Sequence, residues 1–167
     1  ELLVALQWPS GVAAGVLMFG AAYAVERFII ETWKTFFRIE AQSKYTIPMQ
    51  LAVLGRPGVH AVHIHAVGVC QSPEFTSAGA HFNPAGKKHG LEAPDGPHAG
   101  DLPNLTANAI GEGGVDVVNK LVTLGPGRNS LLGENGTSII IHVAADDNKS
   151  DPIGNSGGRL ACGVITK

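Results

Sequence analysis

The sequence has little net charge, few aromatic residues, only two cysteines and no internal repeat. Twelve Lys and Arg against 14 Asp and Glu leave a formal charge of −2, so the composition gives no general electrostatic reason to bind nucleic acid or an anionic membrane surface. The chain contains no low-complexity tract and no G-X-Y period, which excludes collagen and a disordered chain. A length of 167 residues fits one domain with room for a core.

Glycine and proline are abundant instead. Together they make up 32 of the 167 residues, whereas a typical chain has about 12%. This excess, and short apolar runs rich in β-branched residues, predict a turn-rich, all-β fold. Strands are predicted at Val59–Val67, Val115–Val118, Lys120–Leu124, Ser138–Ala144 and Leu160–Thr166. The Gly- and Pro-rich stretches Pro84–Pro103 and Asp146–Gly158 are predicted to be long loops with a function.

The first third of the chain allows two interpretations. Residues 2–25 carry no charge, and the run from Gly11 to Ala24 is nearly all small or apolar. This stretch fits ordered strands joined by a turn at Pro9-Ser10-Gly11, and we favour that interpretation. It also fits the remnant of a secretory signal or anchor that ends in an A-x-A-like site at Ala22-Tyr23-Ala24. We therefore predict one domain over residues 1–167, with residues 1–54 as a divergent N-terminal part.

All seven histidines lie between His60 and His142, and their spacing predicts a metal site. Residues i and i+2 of a strand share a face, so His63 and His65 present two neighbouring imidazoles. His142 ends another predicted strand, and the long loop adds His81, His89, His98 and Asp101. Imidazole suits copper and zinc, and three histidines with one carboxylate are a sensible tetrahedral zinc set. His60 has the opposite strand parity, so we interpret it as structural.

Four segments carry a resemblance to a known family. They are Gly58–His65, Ala78–Pro84, His98–Leu105 and Gly154–Ile165. In this order they resemble the copper,zinc superoxide dismutases over about residues 55–167. Within that family, the bacterial exported branch is the most similar, on the segments Pro73–Gly79, Gly96–Leu105 and Asp151–Gly154. Ala61-Val62 replaces the usual Gly-Phe pair, and residues 1–54 do not follow the early strands of the family.

The resemblance implies a fold and a set of site residues. The fold is a Greek-key β-barrel or sandwich, immunoglobulin-like, with a long metal-binding loop and a short second loop. The copper ligands would be His63, His65, His81 and His142, and the zinc ligands His81, His89, His98 and Asp101. His81 would bridge both metals and act in catalysis with Arg159, and Asp146 would hydrogen-bond one ligand of each metal. Cys70 and Cys162 would form a disulfide.

The implied function is superoxide dismutation, in which two superoxide anions and two protons give O₂ and hydrogen peroxide. One copper and one zinc ion per chain are expected, with copper as the redox metal and zinc as the structural one. The resemblance also implies a homodimer outside the cytoplasm, periplasmic or secreted. The low net charge argues against a nucleic-acid partner, and Gln7, Pro9 and the glycines of the N-terminal stretch argue against membrane association.

Two other functions stay open at this point. One is a non-catalytic copper- and zinc-binding or chaperone-like relative, although only two cysteines are available for a copper-delivery module. The other is a purely structural zinc domain, which would leave His63, His65 and His142 without a role.

Overall fold

The computed structural model describes residues 2–7, 36–39, 46–52 and 56–166 of the chain. These residues form nine strands and one short 3₁₀ turn at Thr76–Ala78. The strands are β1 (Leu2–Gln7), β2 (Phe36–Ile39), β3 (Thr46–Ala52), β4 (Gly58–His60), β5 (Val62–His65), β6 (Leu105–Ala107), β7 (Glu112–Val118), β8 (Thr137–His142) and β9 (Arg159–Ile165). The all-β prediction is confirmed.

The strands form two antiparallel sheets. One sheet has the order β2-β1-β9-β8-β5, and the other has the order β3-β7-β6-β4. Within the described residues the two sheets remain separate and no closed barrel forms. Strand β5 lies at the edge of the five-stranded sheet and pairs with β8, and this edge carries the candidate site.

The core explains why the central strands are apolar on both faces. Val62 and Ile64 of β5 pack in the main core cluster with Ile139 and Ile141 of β8. Ile140 points to the other face of β8 and packs in a second buried cluster, which holds both cysteines, Phe75 and Ala78. Because both faces of β8 are covered, side chains at its end are held in a dry environment.

Two of the predicted strands differ from the observed structure. The run Val59–Val67 divides at Ala61, because β4 belongs to one sheet and β5 to the other. At the division Ala61 N donates to Ala144 O, and His142 N donates to Ala61 O. A hydrophobic pattern locates the apolar residues of such a run, but it does not indicate that the chain changes sheets.

The strand predicted at Lys120–Leu124 is wrong. This segment is a turn in which only Thr123 makes an isolated bridge, to Ser130. The Asn119 side chain accepts a hydrogen bond from Leu121 N, and its amide donates to Ala99 O. Such local side-chain bonds compete with a strand ladder. The three-residue strand β6 was not predicted, because so short a run gives little periodic signal.

Strands β1, β2 and β3 lie in the divergent N-terminal part. β1 pairs with β2 and with β9, and β3 pairs with β7 along seven residues. The predicted turn at Pro9-Ser10-Gly11 and the A-x-A-like site at Ala22-Tyr23-Ala24 lie outside the described residues. The single domain over residues 1–167 stays a prediction. In the described part of the chain, no helix has the length and hydropathy needed to cross a membrane.

Candidate metal centre

The edge strand β5 and its neighbour β8 place three histidines. His63 and His65 pair in the ladder with Ile140 and Ser138, and His142 follows an irregularity in the β8–β9 register. All three rings are buried. Their positions are therefore set by strand hydrogen bonds and by core packing.

The long loop returns twice to the free edge of β5. Phe82 N donates to Ile64 O, and Ile64 N donates to Gly100 O, both at 2.8 Å. Gly100 N in turn donates to Phe82 O at 2.8 Å, so both ends of the loop lie together beside the strand. This pairing brings His81 next to His65 and Asp101 next to His63.

The first donor group consists of the four predicted copper ligands, His63, His65, His81 and His142. One nitrogen of each lies within 4.8 Å of those of the others. The atoms without a hydrogen-bond partner are Nδ1 of His63 and Nε2 of the other three rings. A buried polar atom without a partner costs free energy, so four such nitrogens in one group of histidines fit a site for a cation.

The opposite nitrogens of these rings are held by acceptors. His65 Nδ1 lies 2.9 Å from Gly79 O, His142 Nδ1 lies 3.2 Å from Gly157 O, and His63 Nε2 lies 2.6 Å from Asp146 Oδ2. A ring that donates from one nitrogen keeps a lone pair on the other. These contacts favour the tautomers in which the unpartnered nitrogens can bind a metal.

Burial keeps three of these four rings neutral. It lowers the pKa of His65 to about 2, that of His142 to about 3 and that of His81 to about 4. Neutral imidazole is the form that binds a metal.

The second donor group contains the four predicted zinc ligands. Asp101 Oδ1 lies 3.2 Å from His81 Nδ1, 3.1 Å from His89 Nδ1 and 3.3 Å from His98 Nδ1. The Nδ1 atoms of His81 and His98 are 3.4 Å apart. Tetrahedral zinc with bonds of about 2.0–2.1 Å requires ligand atoms about 3.3–3.4 Å apart, and these four distances are close to that spacing. His63 also has a donor atom within 4.8 Å of those of His81, His89 and Asp101.

The ring of His81 belongs to both groups. Its Nε2 is one of the unpartnered atoms of the first group, and its Nδ1 is one of the atoms around Asp101. The ring is buried, and its centroid lies 4.0 Å from that of His63. One imidazole has two nitrogens and can therefore serve two cations.

Asp146 contacts one histidine of each donor group, at the ring nitrogen opposite the one that would bind the metal. Its carboxylate lies 2.6 Å from His63 Nε2 and 3.0 Å from His89 Nε2. Burial would raise the pKa of Asp146, but the hydrogen bonds to His63 and His89 outweigh it and hold this pKa below its usual range. The contacts predicted for Asp146 are thus present, and its role in metal binding stays a prediction.

Carboxylates dominate the charge of the second group. Burial would lower the pKa of His89, but Asp101 and Asp146 against its two nitrogens raise it to about 9. Hydrogen bonds from the histidines hold the pKa of Asp101 well below its usual range despite burial. Without a metal, protonated His89 and the two carboxylates therefore form ion pairs, in which a proton occupies a place that a cation could take.

Arg159 lies beside the first group at the start of β9. Its guanidinium donates to Phe75 O and, at 2.6 Å, to Gly79 O, the carbonyl that also holds His65. It lines a cleft of about 640 Å³ together with His65, His81 and His142. An arginine there offers a fixed positive charge to a small anion.

The predicted disulfide is present between Cys70 and Cys162. It joins the segment after β5 to strand β9 and packs in the buried cluster with Phe75. His60, predicted to be structural, lies outside both donor groups. Its nitrogens lie 2.9 Å from His142 O and 3.1 Å from Arg56 O.

Sequence reasoning missed residues that support the donors. Asn104 exchanges two hydrogen bonds of 2.8 Å with the backbone of Asp146. Gly154 lies so close that a Cβ there would be 1.8 Å from Asp146 Oδ1, and its φ is +61°. Asp151 accepts a hydrogen bond from His89 N. All three lie in segments that carry the family resemblance, and this was the available signal.

Comparison with known proteins agrees with the site. The family model described as copper/zinc superoxide dismutase matches residues 35–165. A superoxide dismutase (Cu-Zn) 2 from Aquifex aeolicus is 51% identical over 128 residues, which cover 76% of this chain and 75% of that one. A superoxide dismutase (Cu-Zn) from Caulobacter vibrioides is 47% identical over 65% of this chain and 64% of its own length.

A solved structure extends the likeness to the fold. The crystal structure of a SOD-like protein from Bacillus subtilis matches with a TM-score of 0.76 and 32% identity, over 98% of this chain and 97% of that one. The match of the family model to most of the chain, together with relatives about half identical to it, shows that the chain belongs to the copper/zinc superoxide dismutase family.

Proposed function

We propose that this protein is a superoxide dismutase that converts two superoxide anions and two protons into O₂ and hydrogen peroxide. The observation that carries the proposal is the buried ring of His81, which faces three histidines with Nε2 and a carboxylate with Nδ1. This is the arrangement that two different cations sharing one imidazole would require.

The two donor groups suit two different ions. His63, His65, His81 and His142 offer only nitrogen and would hold one copper ion. His81, His89, His98 and Asp101 would hold one zinc ion. Copper, when bound, supplies the one-electron redox chemistry of both halves of the reaction. Zinc has no redox chemistry, and its ligands would order the Pro84–Pro103 loop.

Two side chains of the protein would act on the substrate, one by its positive charge and one by transferring a proton. Arg159 projects a guanidinium into the cleft beside the first donor group, where it would attract superoxide and orient it. His81 Nε2 is the atom that we propose to take up a proton and pass it to the peroxide as it forms. The acceptors behind His63, His65 and His142 keep those rings in place while His81 changes its protonation.

We also infer the finer architecture and the setting. The two antiparallel sheets support a Greek-key β-barrel or sandwich, immunoglobulin-like, in which Pro84–Pro103 is the metal-binding loop and Asp146–Gly158 the second loop. The Cys70–Cys162 disulfide supports an oxidising, extracytoplasmic compartment, periplasmic or secreted. We propose a homodimer from the family resemblance alone.

A non-catalytic metal-binding relative with the same fold is not favoured. Such a protein would be expected to lack a donor or the cleft arginine, and here each predicted donor and Arg159 is buried or lines the cleft. A structural zinc domain would give no reason for the four unpartnered nitrogens of the first group.

Metal analysis combined with an activity assay tests the proposal. The purified protein should bind one copper and one zinc ion. Anomalous scattering at the copper and zinc absorption edges should locate the two ions on either side of the His81 ring. The loaded protein should inhibit the reduction of cytochrome c by superoxide. His81→Ala should lower dismutation by more than about 100-fold, beyond the effect typical of residues that only support a ligand.

The matched control is His60→Asn: His60 is buried outside both donor groups, and an Asn side-chain amide can replace the bond of His60 Nδ1 to His142 O. This variant should keep both metals. A wild-type protein that binds a single ion, or two ions that leave the ring of His81 untouched, would contradict the proposal.

A further inference from the structure

Asp151 connects the second loop to the first at the backbone of His89. The amide nitrogen of His89 donates to Asp151 Oδ1 at 2.8 Å. The other oxygen of the same carboxylate lies 3.1 Å from Lys88 Nζ. One side chain of the Asp146–Gly158 loop therefore contacts two successive residues of the Pro84–Pro103 loop.

The position of His89 depends on carboxylates from different parts of the chain. Its ring Nε2 lies 3.0 Å from Asp146 Oδ1, and the next amide, Gly90 N, donates to Asp101 Oδ2 at 2.9 Å. Asp151 is the acceptor for the amide of His89 itself. Asp101 is itself a predicted ligand and Asp146 contacts the rings of two predicted ligands, whereas Asp151 contacts the main chain of His89 and the side chain of Lys88.

The loop around His89 has no strand ladder that could replace this contact. In the described part of the chain, the segment from Lys87 to His98 contains no strand and no helix. Its backbone crosses the second loop closely, because a Cβ on Gly90 would be 2.1 Å from Asn148 O. An amide in such a segment turns toward water or another acceptor if its partner is lost.

We propose that Asp151 is a positioning residue of the zinc site: its Oδ1 fixes the main chain at His89, so that the His89 ring is aimed at the metal before the metal binds. The proposal rests on the proposed function, because it takes the second donor group as the zinc site. Residues that support a ligand typically change metal affinity by about 10–100-fold when they are replaced.

The two oxygens of Asp151 allow the hydrogen bond to be tested apart from the charge. Asp151→Asn keeps an oxygen that can accept from His89 N but loses the negative charge. Asp151→Ala loses both. Lys88→Met removes the ion pair and leaves the carboxylate in place.

A second loop–loop contact provides a matched control. Glu92 and Lys149 form an ion pair of 3.0 Å between the same two loops, and both side chains are mostly exposed. Neither residue contacts a member of the donor groups in the described structure. Glu92→Gln therefore removes an ion pair between the two loops but leaves the backbone hydrogen bonds of the predicted ligands unchanged.

The experiment is a titration of the metal-free full-length protein with Co²⁺, whose visible absorption reports tetrahedral coordination, followed by Zn²⁺ competition against a chelator. Asp151→Ala should bind Zn²⁺ about 10–30-fold more weakly than the wild type. Asp151→Asn, Lys88→Met and Glu92→Gln should stay within about threefold of it. Circular dichroism and the thermal unfolding of each variant check that it folds.

Two results would overturn the inference. One is Zn²⁺ binding by Asp151→Ala that is as tight as in the wild type. The other is Zn²⁺ binding by Asp151→Asn that is as weak as in Asp151→Ala, which would make the charge and not the hydrogen bond responsible. Either result leaves the dismutase proposal standing, because the wild type still shows its tetrahedral Co²⁺ spectrum. A wild type without that spectrum would overturn both proposals. If Asp151→Ala does not fold, Asp151→Leu in the same titration decides the matter.

Discussion

The histidines on the strands and the donors on the long loop are held in place by different forces. His63, His65 and His142 lie on β5 and β8, where paired backbones and two apolar clusters set their positions. His89 and His98 lie on a segment without a ladder, where carboxylates hold the backbone amides and the rings. The first set is therefore a product of the sheet, whereas the second is a product of polar contacts between loops.

This difference has an energetic consequence. Apolar burial stabilises a strand by about 25 cal/mol per Å² and is lost only when the sheet opens. A single hydrogen bond adds a net stabilisation of only about 0.5–1.5 kcal/mol, and water can replace it locally. We therefore expect both sets of donors to be oriented without a metal, but the loop-borne set to open locally far more often than the strand-borne set.

Metal removal should show the difference between the strand-borne and the loop-borne donors most clearly. After both metals are removed with a chelator, amides near Gly90 should exchange hydrogen at least about a thousandfold faster than amides of Ile139–Ile141. Local opening there costs little, whereas β8 opens only with global unfolding. Hydrogen exchange followed by mass spectrometry measures the contrast, and added Zn²⁺ should restore protection near Gly90. Uniform protection of both regions would contradict the difference.

Removal of the disulfide should lower the stability of the sheet that carries the strand-borne donors. Cys70 and Cys162 are 92 residues apart, and closing so long a loop contributes about 4–5 kcal/mol to the free energy of unfolding on the chain-entropy model. The double variant Cys70→Ala/Cys162→Ala should lose about that much in urea denaturation of the metal-free protein. A reducing agent should destabilise the wild type but leave the variant unchanged. A loss under about 1 kcal/mol would disagree with this expectation.

Gly154→Ala should mainly displace the loop-borne donors and weaken Zn²⁺ binding. The added Cβ would lie 1.8 Å from Asp146 Oδ1 and 2.6 Å from His89 Nε2, and φ is +61° there. Asp146 must move, so Zn²⁺ affinity should fall by about thirtyfold, within the range for residues that support a ligand. Gly158→Ala is the matched control, since a Cβ there meets nothing within 4 Å. Equal affinities for the two variants would show that this close approach is unimportant.

Arg159→Ile should have the smallest effect, because Arg159 is a member of neither donor group. Dismutation should slow by about tenfold and depend less on ionic strength, since the positive charge that attracts superoxide is gone. Copper content should stay at the wild-type level. The exposed Arg56→Ile removes the same charge elsewhere and should leave the rate unchanged. If Arg159→Ile dismutes at the wild-type rate, the role proposed for this residue is wrong.

Sequence patterns located the apolar strands well where the local and tertiary signals agree. The runs at Val115–Val118, Ser138–Ala144 and Leu160–Thr166 contain most of β7, β8 and β9. The pattern failed at Lys120–Leu124, where Asn119 forms a turn, and at Ala61, where the chain changes sheets. Both failures come from hydrogen bonds whose partners the apolar pattern does not reveal.

The spacing of the histidines and the family motifs named the candidate donors, and the structure brings them together in two groups. They could not show that Asp151 holds the backbone of His89 or that Gly154 packs on Asp146. The contact between Asp151 and His89 joins residues 62 positions apart, and the contacts of Asp146 with His89 and His63 join residues 57 and 83 positions apart.

The sequence by itself determined the residue types, the shared face of His63 and His65, and the all-β character, because these depend on chemistry and on a strand period of two. Only the tertiary structure showed that the loop lies along the free edge of β5, and how the His81 ring and the Asp146 carboxylate contact both groups. Such placements depend on which distant backbone groups satisfy one another when the chain closes, and no local pattern specifies that choice.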